Sequence, residues 1–168
     1  VDVTLTRAEA LTWEPVIEAL ELQAPLWEPG EAHGYHAITF GHLVGEVVRR
    51  IDGRTLGTFF RDEFAEPLGL EFWIGLPEAL EPRVAPMIPM GADVLGDFDL
   101  ADVLGPDALM IRAMSLNGAF DEDLAIIANT REFHATELPG ANGITNVRSL
   151  ARFYAGLIGS VEGGPADA

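Results

Sequence analysis

The chain has 168 residues, enough for one domain with a real core, and its 48% hydrophobic content argues against disorder over most of its length. A net charge of −17, from 27 acids against 10 bases, repels phosphate backbones and disfavours nucleic acid as a partner. There is no Cys and no Lys, which excludes disulfides, thiolate chemistry, Cys-based zinc sites and any step that needs a Lys amine from within the chain.

TWEPVIEALELQ predicts a first helix, with Thr12 as N-cap, Glu14 in the first turn and Val16, Ile17 and Leu20 on one face. APLWEPGEAHG, with Pro25, Pro29, Gly30 and Gly34, reads as a turn-rich connection. The strongest periodic signal comes next. Phe40, Leu43, Val44, Val47, Val48 and Ile51 step by three and four, predicting a helix capped by Thr39, stopped at Asp52-Gly53 and buried along that stripe. Gly41 and Gly45, one turn apart, leave room for another backbone to pack closely. Arg49, Arg50 and Arg54, the only basic cluster, are expected on a solvated helix end.

A further helix is predicted with Thr55 as cap, Leu56, Phe59, Phe60 and Phe64 inward, and Pro67 and Gly69 ending it. EFWIGLP is a strand candidate closed by Pro77. Residues 77–106 form a Pro/Gly-rich loop region, and a stretch that long is usually functional or mobile. Its apolar residues Val84, Met87, Ile88 and Met90 suit a flap over a pocket or a surface excursion packed on the core. DALMIRAMSL predicts a short helix, and residues 128–143 read as extended chain and turn. TNVRSLARFYAGLIG predicts a last helix capped by Thr145 or Asn146, with Val147, Leu150, Ala151, Tyr154, Leu157 and Ile158 inward. The tail SVEGGPADA reads as a flexible loop. The whole is one α-rich unit without internal repeats.

His33, His36 and His42 invite a metal reading, but no i,i+4 pair and no H-E-x-x-H occurs, so turn and surface histidines are expected and no metal. Asp93, Asp97, Asp99 and Asp102 alternate with Phe98, Leu100 and Val103 and lack the Gly and Glu of an EF-hand loop; a solvated face is expected. The acids single out no pair for glycosidase chemistry. Ser115, Ser149 and Ser160 lie in no G-x-S-x-G elbow, and none is followed three residues later by Lys. Gly140 and Gly143 in LPGANGI are most simply turn residues leading into the last helix, with a pocket wall as their other use. Tyr35 sits between Gly34 and the long helix; alone, it reads as an anchor of the helix start. A phenol titrates at about 10 in water, so as a base it needs a cation beside it.

PLWEPGEAHGYHAITFGHLVGEVVRRIDGRTLGTFFRDEFAEPLGLEFWIGLP resembles, nearly end to end, the β-lactamase-like serine esterases, relatives of class C β-lactamases and D-Ala-D-Ala carboxypeptidases. ELPGANGITNVRSLARFYAGL resembles the segment that family carries before its last conserved helix. The resemblance implies an α-rich segment, a helical lobe plus short strands, of an α+β β-lactamase/transpeptidase-like fold. It implies a hydrolase working through an acyl-enzyme on a small-molecule ester or amide, with a Ser and a Lys from Ser-x-x-Lys, a Tyr that moves the proton, and a Gly-rich strand lending an oxyanion donor. Tyr35 matches that Tyr and is the catalytic candidate; no substrate-binding residue is assigned and no cofactor is implied. The β-lactamase pattern Tyr-x-Asn reads Tyr35-His36-Ala37 here, which favours esterase.

No Ser-x-x-Lys can exist without Lys, and no Gly-rich strand motif follows the last helix. The expectation is therefore a partial domain over 1–168, mostly the helical lobe, begun at Val1 by excision or processing and not competent alone. The alternative is a non-catalytic binding or interaction module derived from the family. Apolar faces left where the family's sheet would pack leave room for self-association. No apolar run approaches the roughly 18 residues of a membrane span and no signal pattern opens the chain, so a cytoplasmic location is expected.

Overall fold

A computed structural model describes residues 1–88, 100–105, 108–120 and 124–161. Pro89, Met90, Gly91, Asp93, Gly96, Asp97, Asp99, Pro106 and the tail after Val161 lie outside the described residues.

Helix α1, Arg7–Ala10, opens with a capping box that the periodicity did not flag: the Glu9 amide donates to Thr6 Oγ1 at 3.3 Å, and the Thr6 amide donates to Glu9 Oε2 at 2.8 Å. Helix α2, Trp13–Leu22, buries Val16, Ile17 and Ala19. Thr12 is its N-cap, as expected, although its hydroxyl donates backward to the Ala8 carbonyl instead of capping.

Helix α3, Thr39–Asp52, has the predicted length, and its end is the predicted one: Gly53 takes φ +90, the left-handed conformation that closes a helix cheaply only when no Cβ is present. Its start is Ile38, not Thr39, with no side-chain cap. Its buried face corrects the sequence reading. Phe40, Leu43, Val44, Val47 and Ile51 are exposed, Ile51 by 82%, and Val48 is half-buried, while Gly41, His42, Gly45 and Glu46 are the residues turned inward. The apolar stripe is real but nothing among the described residues covers it; within this chain the helix docks by its small and hydrogen-bonded face. The arginines lie at the solvent-facing end of the helix as expected, and each is ion-paired there. Arg49 and Arg50 both reach Glu46, Arg50 also pairs with Glu21, and Arg54 joins Asp52, Asp62 and Glu63.

Helix α4, Leu56–Phe60, is capped by Thr55 as predicted and runs into a π-helical turn, Arg61–Ala65. Phe60 and Leu68 centre a second core, where Phe60 meets Phe72 at 4.8 Å and Phe153 at 5.4 Å between ring centres, edge to face. Strand β1, Phe72–Trp73, pairs antiparallel with β2, Ile144–Thr145. The Pro-rich stretch holds a 3₁₀ turn, Glu78–Arg83, and a helix, Leu100–Leu104. Helices follow at Leu109–Ser115, Leu124–Ile127 and Arg131–Ala135; the last, capped by Thr130, replaces extended chain expected over 128–143.

The C-terminal helix, Val147–Ile158, is capped by Asn146, whose side chain accepts from the Ser149 amide. Its orientation also reverses the expectation: Ser149 and Gly156 are buried, whereas Val147, Leu150, Ala151, Tyr154, Leu157 and Ile158 are exposed. It is held by Phe153 in the second core and by polar bonds, Ser149 Oγ accepting from the Glu71 amide at 2.9 Å and Arg152 Nε donating to the Leu68 carbonyl at 2.6 Å. Among the described residues, no helix is long and apolar enough to cross a membrane.

Gly57 joins α4 to the 137 region. A Cβ there would stand 2.3 Å from the Ile74 carbonyl oxygen and 2.6 Å from Glu137 Oε1, the carboxylate that accepts from the Gly57 amide and the Thr55 hydroxyl. Gly57→Ala is expected to cost about 1–3 kcal/mol through this overpacking. At this chain length that lowers Tm by roughly 3–10 °C in a thermal melt; an unchanged Tm would mean the contact relaxes freely.

Candidate active site

The segment carrying Tyr35 is built by its neighbours. The Trp27 indole N–H donates to the Ala32 carbonyl at 2.9 Å, and the Glu31 amide donates to the Glu28 carbonyl at 3.0 Å, which folds PGEA back on itself. The indole then lies on Gly34: a Cβ at 34 would stand 3.0 Å from Trp27 Cη2, so the small residue is what admits the ring. His36 turns its Nδ1 to the Gly34 carbonyl at 3.0 Å.

Tyr35 itself is 74% exposed, so it does not anchor the helix by packing. That role falls to Ile38, 4% exposed in the same core as Leu116, Phe133 and Leu138. Tyr35 instead stands at a cleft of about 530 Å³ walled by Leu20, Leu26, Trp27, Met110 and Leu116. The guanidinium in that wall, Arg112, is engaged by Asp2 at 2.6 Å and Asn117 at 3.0 Å.

The first turn of α3 rests on the LPGANG loop. A Cβ at Gly41 would fall 2.2 Å from the Gly140 amide nitrogen, and one at Gly140 would fall 2.7 Å from the Ile38 carbonyl oxygen. The close backbone approach expected at Gly41 is therefore present; Gly45 instead meets the Trp13 ring and a Leu56 methyl. Beneath the loop, Asn142 is 5% exposed; its Oδ1 accepts from the Leu138 amide, and its Nδ2 donates to the Phe133 and Thr136 carbonyls. Sequence reasoning took Gly140 as a turn residue and passed over Asn142. In P-G-A-N-G, Asn142 reads only as one more turn former, and nothing local marks it as buried.

The three early histidines do not converge: His33 and His36 are exposed on the turn, and His42 is buried against Trp13, ring centres 4.9 Å apart. Burial lowers the His42 pKa, with the Ile38 carbonyl opposing, and its Nδ1 has no hydrogen-bond partner among the described residues. Glu46, one turn on, accepts from the Trp13 indole at 2.9 Å and from Arg49 Nε and Arg50 Nε at 2.7 Å each. The Arg49 bond is the largest cause of a carboxyl pKa held down to about 2, with Trp13 and Arg50 adding to it against partial desolvation. His134, unread in the sequence, is buried with Nδ1 on Glu81 and Nε2 on the Ala128 carbonyl. With Arg131, it ties the 78–83 turn to the 131–135 helix.

The helix-rich chain, with its β1–β2 pair, is the α-rich part of an α+β fold that the sequence resemblance implied. The chain belongs to the Beta-lactamase family, whose model matches residues 3–167. It is 30% identical over 143 residues to Esterase/beta-lactamase LipL of Mycobacterium tuberculosis (strain ATCC 25618 / H37Rv), a match covering 83% of this chain and 33% of that protein. Among solved structures it resembles EstA from Arthrobacter nitroguajacolicus Rue61a, with a TM-score of 0.77 and 33% identity over 93% of this chain and 40% of that one. A family VIII carboxylesterase gives a TM-score of 0.76 and 36% identity, over 96% of this chain and 40% of that chain. The fold is thus part of a β-lactamase/transpeptidase-like fold. The chain spans about a third of the curated relative's length and about 40% of the solved chains.

Proposed function

We propose that the whole protein is a serine hydrolase acting on small esters through an acyl-enzyme, and that Tyr35 is the residue this chain gives to the reaction. The observation that carries the reading is Tyr35 itself, exposed at the edge of an apolar cleft on a backbone braced at Gly34 and again at Ala37 and Ile38. In the reaction, a Ser Oγ adds to the ester carbonyl while its proton passes to the Tyr35 oxygen. That proton then goes to the departing alcohol as the acyl-enzyme forms, and water repeats the sequence to release the acid. A phenolate in this role needs a cation, and with all ten bases Arg and no Lys, the chain holds no Ser-x-x-Lys. The nucleophile and its Lys accordingly come from outside residues 1–168, and this lobe alone forms no acyl-enzyme. The exposed stripes of α3 and the C-terminal helix are where the remainder of the domain packs. The missing Asn at position 37 and the already paired Arg112 support an uncharged ester over a β-lactam.

The second reading, an interaction module without catalysis, draws on those same apolar stripes. A fluorophosphonate probe separates the two. The whole protein is expected to label on one Ser while residues 1–168 alone stay unlabelled. A stoichiometric adduct on the isolated lobe would refute its dependence on an outside nucleophile, and a whole protein that never labels would favour the interaction module.

A further inference from the structure

We propose that Asn142 is a positioning residue for Tyr35, acting through the contact between Gly140 and the first turn of α3; this rests on Tyr35 being the catalytic residue. Asn142 is buried and spends its amide completely on the backbone: one bond accepted from the Leu138 amide at 3.0 Å, and two donated, at 2.6 Å each, to the carbonyls of Phe133 and Thr136. Those bonds fix the path from the end of the 131–135 helix through the turn, which the Ala141 and Asn142 amides close on the Leu138 carbonyl. Leu138 is fully buried in the core that also holds Ile38.

The platform made this way touches the segment that follows Tyr35. Gly140 lies against the carbonyls of Ala37 and Ile38, two and three residues beyond Tyr35, and against Gly41. There is no slack in the contact: a methyl on Gly41 would need more than about 1 Å of backbone movement to reach ordinary contact distance. The Tyr35 side chain has little packing of its own, so the place of its hydroxyl follows the backbone between Gly34 and Ile38. Trp27 holds that backbone at Gly34, and Gly140 holds it at Ala37 and Ile38. An Asn whose polar atoms are all used locally reaches the reacting groups only through this contact, which makes it a positioning residue.

The test is a set of variants in the whole enzyme, assayed for kcat and KM on a p-nitrophenyl ester. Gly140→Ala and Asn142→Ala are each expected to lower kcat by about tenfold to a hundredfold, with KM changed by less than about twofold, because a misplacement near 1 Å acts on the transition state more than on binding. Combined with Tyr35→Phe, either change is expected to add no further loss, since each acts only through that hydroxyl. Losses that multiply in the double variant, or a kcat drop that merely tracks the unfolded fraction, overturn the proposal. Gly140→Ala keeps all three Asn142 bonds, and Asn142→Asp keeps the bond from Leu138, so these carry the test if Asn142→Ala does not fold. If Tyr35→Phe alone leaves kcat unchanged, the functional reading fails and takes this inference with it. If Tyr35→Phe is inactive while Gly140→Ala is fully active and folded, only the inference fails.

Discussion

Replacing Tyr35 by Phe in the whole protein is expected to lower kcat on a short-chain ester by about 10²–10⁴-fold, the range set by loss of a positioned proton-transfer group. The ring is kept and only one oxygen is removed. Because Tyr35 is 74% exposed and stands at the cleft, the change costs little stability, so the loss is chemical and not structural. KM is expected to stay within a few-fold, since the walls formed by Leu26, Trp27 and Met110 are untouched. His33 supplies the control. It is an exposed ring on the same turn that does not line the cleft, and His33→Ala should leave kcat near wild type. A Tyr35→Phe enzyme with more than half the wild-type kcat would remove Tyr35 from the mechanism.

Local signals in the sequence located the longer helices, and in two of those they failed by face. Gly53 as the end of α3, Thr55 as the cap of α4 and Asn146 as the cap of the C-terminal helix were all readable, because caps act within three or four residues of their own position. Periodicity in α3 and the C-terminal helix found real apolar stripes but assigned them to a core inside this chain. The observed inner faces hold Gly41, His42, Glu46, Ser149 and Gly156, whose burial comes from close approach and hydrogen bonding, which a hydrophobic count does not register. The helix Arg131–Ala135 was missed because one turn is too short to show a period, beside the stronger turn signal of PGANG. Within the site, Tyr35 was legible through the resemblance of its flanking motif. Asn142 was not: an Asn between Gly residues reads as a turn former, and its three backbone partners come together only in the folded loop.

Glu46 contributes to the acid limb of stability, as do Asp52, Asp62 and Glu81, whose carboxyls are also held below their usual range by Arg partners. The Glu46 carboxyl titrates near pH 4.5 in an unstructured chain and at about 2 when folded beside Arg49, Trp13 and Arg50. A depressed carboxylate pKa means the folded state holds the ionised form more firmly. The contribution is therefore fully present above about pH 4.5 and disappears as the pH falls through about 2. A shift of that size corresponds to about 3 kcal/mol at most. The Arg49 and Arg50 side chains are 40% and 59% exposed, so solvent screening trims it to about 1–2 kcal/mol. Glu46→Gln keeps the shape and an oxygen for the Trp13 indole but removes the charge that both guanidiniums face. The variant is expected to melt several degrees lower at pH 7, with the gap narrowing toward pH 2, where the native carboxyl is itself half protonated. Thermal melts of both proteins between pH 7 and pH 2.5 check this, and raising the salt to 1 M should shrink the pH 7 gap. Parallel Tm curves across that range would show that the Arg bonds at Glu46 add nothing to stability, leaving the Trp13 bond and the close approach at Gly45 as what holds α3 to α2.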